Sequence, residues 1–309
     1  MIKFFDNNIP NGRYCMDNFM QKPKILVAGA TGYLGHYVVQ EFKKRNYWVR
    51  VLLRKAQQKE RFKDIDVDEF YVGEVTKPET LMDVAKDIDW VFTSIGITRQ
   101  KDGLTYMDVD YQGNLNLLQE ALKAKVSRFQ YISAIHADKM REVKILDAKE
   151  KFVDELKASA IDYSVIRPNG FFSDMLDFMK MAKGGRVYLF GDGMYKLNPI
   201  HGADLADFCV SALENRVQEV EVGGPDILTQ KEIGILALEA MAKPIKITLL
   251  PDGLRKCVIW ALRTFTNPKI YGPYEFFLSA TAQDHVATTH GNYHLKDFFS
   301  EEAKKLSDA

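Results

Sequence analysis

"KILVAGATGYLG", Lys24 to Gly35, is the stretch whose reading decides the fold. Ile25 to Ala28 form a short apolar run, three glycines follow at Gly29, Gly32 and Gly35, and a helical period begins with "GHYVVQEFKKR". A short apolar run bounded by glycine reads as a buried strand, and recurrence at i, i+3 and i+4 reads as a helix. Glycines between the two let backbone N–H groups approach an anion, and the helix N-terminus favours its charge. Glycines alone are a weak signal. Strand, glycines, helix and a second strand in that order make a dinucleotide-type phosphate loop, with a plain α/β turn as the bland alternative.

The same rhythm continues outward. "WVRVLLR", "VDEFYVGEV", "DWVFTSIGI", "RFQYISAI" and "DYSVIRP" read as strands. Between them "KPETLMDVAKDI" (Pro78 near its start), "DYQGNLNLLQEALKAK" and "KILDAKEKFVDELKAS" read as helices. Such alternation implies a parallel sheet with helices on both faces, a doubly wound Rossmann-type α/β fold. After Pro168 the pattern changes and becomes rich in Phe, Met and Gly. Residues 23–170 therefore read as the dinucleotide-binding domain and 171–309 mainly as a smaller, partly discontinuous C-terminal substrate lobe. Residues 196–215 are expected to return to the first domain. Thr229 and Glu232 are spaced as a capping box. Phe171, Phe172, Met175, Phe178, Met179 and Met181 suit core packing first, and also a flat apolar substrate.

At 309 residues the chain can bury a substantial core. Forty-two basic and forty-two acidic residues cancel, which argues against a nucleic-acid partner held by overall charge. Cys15, Cys209 and Cys257 are distant and odd in number, so a reducing, cytoplasmic setting is the simplest expectation. No run approaches the roughly 20 apolar residues of a membrane span. "CVIWALRTF", Cys257 to Phe265, follows Arg255 and Lys256 and reads first as an amphipathic core helix. Its alternative is peripheral contact with a membrane surface. Residues 1–22 lack an apolar signal segment and read as a flexible arm, or as a product of a start placed ahead of Met16 or Met20.

The second strand tip selects the cofactor. Where an acid would take the ribose hydroxyls of NAD, this chain has Leu53, Arg54 and Lys55. Two cations suit a 2′-phosphate, because a guanidinium grips it bidentately. NADP(H) is thus expected over NAD(H); simple solvation of a loop is the alternative.

"GATGYLG", "VDYQGNLNLL", "YISA", "AKEKF" and "YSVIRPNGFF" resemble the NmrA-like group of atypical short-chain dehydrogenase/reductases over nearly the whole chain after Pro23. "FGDG", "NPIHGADLA", "VGGPDILTQKEI" and "THGNYHLKDFFSEEA" look most like the divinyl chlorophyllide 8-vinyl reductase branch. The resemblance implies that Gly29, Thr31, Gly32, Tyr33, Leu34 and Gly35 cradle the pyrophosphate and that Arg54 binds the 2′-phosphate. It implies that Glu74 and Val75 border the adenine, although the family often has Asp at the Glu74 position. Ser94, Ile95 and Gly96 would line the ribose path, and Pro168, Asn169, Gly170 and Phe171 would flank the nicotinamide.

The family's Tyr-x-x-x-Lys pair places the lysine at Lys149 and the tyrosine at Ile145, so the usual proton donor is absent. Lys149 interrupts the apolar stripe of its helix. Three readings stay open for it: a ribose anchor, a general acid whose pKa burial has lowered, or a snorkelling side chain without a role. Ser133 stands where the family often has its serine, with the register ambiguous against Ala134. His136 is an alternative proton source or an idle loop histidine. His201 is expected to order a turn and Asp204 to cap the next helix. His285, His290 and His294 make an incomplete metal set, so no metal is expected. The reading is an NADP(H)-dependent oxidoreductase moving hydride to or from a largely apolar small molecule with a conjugated C=C or C=O bond. Alternatives are a non-catalytic NADP(H) sensor and, less favoured without the tyrosine, a sugar-nucleotide epimerase. Oligomeric state is not legible.

Overall fold

A computed structural model describes residues 22–98 and 103–307. Apart from Lys22, the arm expected over 1–22, with Cys15, Met16 and Met20, lies outside the described residues.

The chain runs β1 (Lys24–Ala28), α1 (Tyr33–Lys44), β2 (Trp48–Leu53), β3 (Glu69–Val72), β4 (Trp90–Thr93), α2 (Asn114–Lys123), β5 (Arg128–Ile132), α3 (Lys144–Ala158) and β6 (Asp162–Pro168). It continues through α4 (Phe172–Lys183), β7 (Val187–Phe190), β8 (Lys196–Leu197), α5 (Gly202–Glu214), β9 (Glu219–Gly223), β10 (Leu228–Thr229) and α6 (Gln230–Ala240). Last come β11 (Ile247–Leu250), α7 (Asp252–Phe265), α8 (Pro268–Ala280), β12 (Thr288–Thr289) and α9 (Leu295–Ser307).

One eight-stranded parallel sheet has the order β12-β9-β6-β5-β4-β1-β2-β3. Strand order reverses between β1 and β4, and the crevice outside their carboxyl ends is where doubly wound sheets bind ligands. Both sheet faces are covered. Ile25 and Val27 point into one core with Val38 and Phe42 of α1 and Leu205 and Val210 of α5. Leu26 and Ala28 point into the other with Leu117 of α2 and Phe152 and Leu156 of α3. The two-residue period of a strand thus explains why β1 is apolar throughout. A third core joins α4, α6 and α9, and it absorbs Phe172, Met175, Phe178 and Met179, with Met181 packed at its edge.

Three expectations about secondary structure and helix burial change. "KPETLMDVAKDI" is not an α-helix: one 3₁₀ turn at Pro78–Thr80 is followed by turns in which Asp83 and Asp87 have φ of 64° and 59°. Leu81, Val84, Ala85 and Ile88 still reach the core, so helical spacing was satisfied by turns with left-handed joints. The segment before α2 is a π-helix, Met107–Gly113. "CVIWALRTF" is not a core helix, because Arg255 is the one buried residue of α7.

The capping box of α6 forms: Glu232 N–H donates to Thr229 Oγ1 at 3.1 Å, and Thr229 N–H to Glu232 Oε2 at 2.7 Å. Asp204 does not cap α5. His201 does, its Nδ1 accepting from Ala203 N–H at 3.2 Å, while Asp204 accepts from Asn292 and Tyr293 N–H.

Candidate functional site: a nucleotide crevice and a buried lysine

The glycine loop fits an anion. Gly29 turns with φ +80°, and a Cβ there would lie 2.8 Å from Ser94 Oγ. A Cβ on Gly35 would lie 2.2 Å from Gly29 O, so α1 can approach β1 this closely only with glycine. Gly32 N–H closes the turn on Gly29 O at 2.9 Å. No acid stands in the first turn of α1. The first N–H groups of the helix lack carbonyl partners within it and face the crevice mouth with partial positive charge. Leu34 sends its side chain into the core, so only its backbone can serve a ligand. The Tyr33 hydroxyl accepts from Gly202 N–H at 3.0 Å and its ring packs on Phe171. The sequence reading missed Arg61, which donates to Thr31 O at 2.5 Å and brings a further cation to this loop.

Beyond the tip of β2 lies a cleft of about 560 Å³ bordered by Arg54, Lys55, Glu74, Thr76 and Lys77, with Asp108 and Gln112 opposite. Lys77 pairs with Glu74 at 2.8 Å and holds its carboxyl below the usual range. Val75 is packed against Gly113, where a Cβ would approach it to 2.9 Å. The cleft carries three cations against two carboxylates. A glycine cradle at the end of β1 and a cleft with one net positive charge beyond β2 fit a bound dinucleotide.

Lys149 is where the notable chemistry lies. Its Nζ stands 3.0 Å from Asp110 Oδ1 and 5.6 Å from the Tyr131 ring centre. Asp110 is fully buried and also accepts from Ile97 N–H at 3.1 Å. Gly96 lies directly over the pair: a Cβ there would be 2.8 Å from Lys149 Nζ and 2.5 Å from Asp110 Oδ1. The lysine therefore sits beside the Ser94–Gly96 turn, behind β4. Burial alone would push its pKa down, but Tyr131 and Asp110 outweigh that and hold it above the ordinary lysine value. That direction speaks against a general acid whose pKa burial has lowered. Ile145, where the tyrosine is expected, is buried with Tyr106, Met140 and Val143.

Ser133 faces elsewhere. Its hydroxyl donates to Glu150 Oε1 at 2.6 Å, and Arg167 donates to both Glu150 oxygens at 2.7 and 2.9 Å. Glu150, on the polar side of the helical projection, is 1% exposed. Nothing in the periodicity of α3 marks it, because its partners come from the residue after β5 and from β6.

His136, in a left-handed turn with φ 53°, has Nε2 3.6 Å from Glu221 Oε2. Its ring lies 5.1 Å from that of His285, whose two buried nitrogens make no hydrogen bond. Burial, with His136 beside it, pushes the His285 pKa from 6.5 down to about 4; Glu221, Asp284 and the Ala280 backbone offset this only in part. Between pH 6.5 and 4 the unfolded chain binds a proton here that the folded chain refuses. Stability is therefore expected to fall as pH drops through that window. His285→Phe should flatten this part of the profile of urea midpoints; an unchanged slope would count against it.

His290 pairs with Asp207 and His294 with Asp226, so the three late histidines go to separate partners. At the end of β6, Asn169 donates to Asn198 Oδ1 at 2.8 Å and to His285 O, tying three distant segments together. Pro168 and Asn169 are buried there, whereas Gly170 and Phe171 are half-buried beside Tyr33.

A family described as NAD(P)H-binding matches residues 29–216, and the chain belongs to that NAD(P)H-binding family. It is 30% identical over 258 residues to divinyl chlorophyllide a 8-vinyl-reductase, chloroplastic, of Zea mays, covering 77% of this chain and 64% of that one. It is 27% identical over 193 residues to the photosystem II assembly factor Ycf39 of Synechocystis sp., covering 62% and 58%. The chain thus spans less than two thirds of the length of these relatives. The NADPH-dependent quinone oxidoreductase QOR2 of Escherichia coli, complexed with NADPH, shares the fold with a TM-score of 0.69 at 16% identity, over 92% of this chain and 99% of that one. Homology and architecture are those of an atypical short-chain dehydrogenase/reductase.

Proposed function

We propose that the protein is an NADP(H)-dependent reductase acting on a conjugated C=C or C=O bond of a largely apolar small molecule. The observation that carries this reading is the glycine cradle after β1 together with the two cations, Arg54 and Lys55, that follow β2 and border a cleft. A bound dinucleotide would supply the hydride. The N–H groups at Gly32 to Gly35 would hold its pyrophosphate, and Arg54 with Lys55 its 2′-phosphate. Glu74 and Val75 would border the adenine, and Ser94 to Gly96 the ribose. Lys149 would anchor the nicotinamide ribose from beneath Gly96, while Pro168 to Phe171 flank the ring. Residues 171–309 would furnish most of the substrate lobe. The Zea mays relative is named for reducing a vinyl group, which agrees with a conjugated C=C substrate.

A second reading has its own support. Ile145 is apolar, Ser133 is committed to Glu150, and Lys149 to Asp110, so each position of the family's catalytic set is occupied otherwise. That favours an NADP(H)-binding regulator without turnover.

Fluorescence titration with NADPH and NADH tests the cofactor, and NADPH oxidation with quinones, enones and vinyl-substituted tetrapyrroles tests turnover. NADPH should bind more tightly, and Arg54→Ala should remove roughly ten- to a hundredfold of that preference, the value of a charge-assisted pair. Equal affinities in the unmodified protein would sink the assignment. Turnover lost in Lys149→Ala supports the reductase; tight NADPH binding with no oxidation across the panel supports the regulator.

A further inference from the structure

We propose that the outward faces of α7 and α8 dock the protein on an anionic lipid surface. Six large apolar side chains are exposed within this hairpin: Leu254, Trp260, Phe265, Ile270, Tyr274 and Phe277. Trp260 is 64% and Phe265 76% exposed, and their rings meet edge to face at 6.1 Å. Such exposure is uncommon for residues of this size and marks a surface that meets something.

The helices are built for it. On α7, Arg255 is the buried residue and Val258, Ile259 and Leu262 are half-buried, so the inner face is occupied. The outer face at about 100° per residue carries Lys256, Trp260 and Arg263 at one edge and Leu254 and Phe265 at the other. On α8 the buried positions are Tyr271, Gly272, Glu275 and Leu278, which leaves Ile270, Tyr274 and Phe277 as an outward stripe. The inner face of α8 is anchored: Glu275 accepts from Arg263 and from Lys144 N–H, and Gly272 lies against Tyr106. The hairpin is therefore fixed to the body on one side and apolar on the other.

Charge selects the occupant. Asp252–Ala280 holds four cations, Arg255, Lys256, Arg263 and Lys269, against Asp252 and Glu275. Buried Arg255 and exposed Lys256 engage Asp252, and Arg263 engages buried Glu275, so the segment keeps an excess of two positive charges. The whole chain is neutral, so this excess is local. An aromatic face rimmed by lysine and arginine matches the boundary between anionic headgroups and acyl chains, where a helix lies in the plane of the membrane. Among the described residues no helix is long and apolar enough to cross a membrane, which is consistent with lying on it.

The test is co-sedimentation of the full chain with vesicles of phosphatidylcholine alone or mixed with phosphatidylglycerol. Tryptophan quenching by brominated phosphatidylcholine in the mixed vesicles is read in parallel. Sedimentation with the mixed vesicles, weak in raised salt, is expected, with quenching that disappears in Trp260→Ser. The double variant Trp260→Ser/Phe265→Ser should lose most binding, and Lys256→Glu/Lys269→Glu should lose the preference for the anionic lipid. Circular dichroism should stay unchanged in both, and NADPH affinity in the Trp260/Phe265 pair, whose side chains are exposed and do not border the nucleotide cleft. No sedimentation with the mixed vesicles overturns the proposal, as does binding that survives the Trp260/Phe265 pair. So does a soluble dimer that this pair dissociates, which would assign the face to a second copy.

Discussion

A Gly35→Ala variant is expected to lose NADPH binding and a large part of its stability. The added Cβ would meet Gly29 O at 2.2 Å and Ala30 Cα at 2.7 Å, both backbone atoms of the loop it must preserve. No flexible side chain can yield there. Either α1 backs away from β1 or the turn opens, and either movement displaces the N–H groups from an anion. Overpacking of this kind costs about 1–3 kcal/mol, and a clash with backbone belongs at the upper end. For stability, Gly32→Ala is the control, because its Cβ would meet Gly29 O at 3.2 Å, a contact a small shift relieves. Urea midpoints and NADPH titration read both effects. Affinity within twofold of the unmodified protein in Gly35→Ala would mean that the helix does not need this approach.

Glu150→Ala should be the most destabilising change away from the crevice, by about 3–5 kcal/mol, the cost of stranding a buried charge. It leaves the Arg167 guanidinium, 7% exposed, without its bidentate partner and deprives the Ser133 hydroxyl of its acceptor. Glu219 remains 3.5 Å from Arg167 and recovers part of the loss. Glu150→Gln keeps the shape and should cost less. NADPH affinity measured at low temperature, where the variant is still folded, should be nearly unchanged. A matching fall in affinity would show that the Ser133–Glu150–Arg167 group serves the cofactor directly.

The contrast between Gly35 and Glu150 explains what could be read from sequence. Gly35 announces itself because strand, turn and helix are consecutive, so the reason for the glycine lies within a dozen residues. The apolar runs of β1, β2 and β4 were legible for the same reason. The strand readings were too long at their ends: "GEV" after β3 and "SIGI" after β4 leave the sheet and border the crevice. Alternation of apolar residues cannot mark that exit. Glu150, Asp110 and Tyr131 are defined by partners on other elements, and helical projection put Glu150 on the wet side. Lys149 was visible as a flaw in an apolar stripe, but its partner was not. Asp110 lay inside the "VDYQGNLNLL" segment with no spacing to link it to a residue thirty-nine positions later. "KPETLMDVAKDI" failed because the same apolar spacing serves a helix and a series of turns, and only the backbone angles of Asp83 and Asp87 separate them.

The crossing of Asn169, Asn198 and the His285 carbonyl has a consequence for how the chain is made. The segment that supplies His285 also supplies β12, which pairs with β9 through Thr288 and Thr289. A nascent chain therefore completes seven strands and the nucleotide crevice while β9 is still an unpaired edge. Asn169 waits for a partner 116 residues downstream. Contacts of such separation form late and slowly, and an open parallel edge invites pairing with other chains. Synthesis thus leaves the outer side of β9 uncovered until Thr288 and Thr289 emerge, long after the phosphate loop is made.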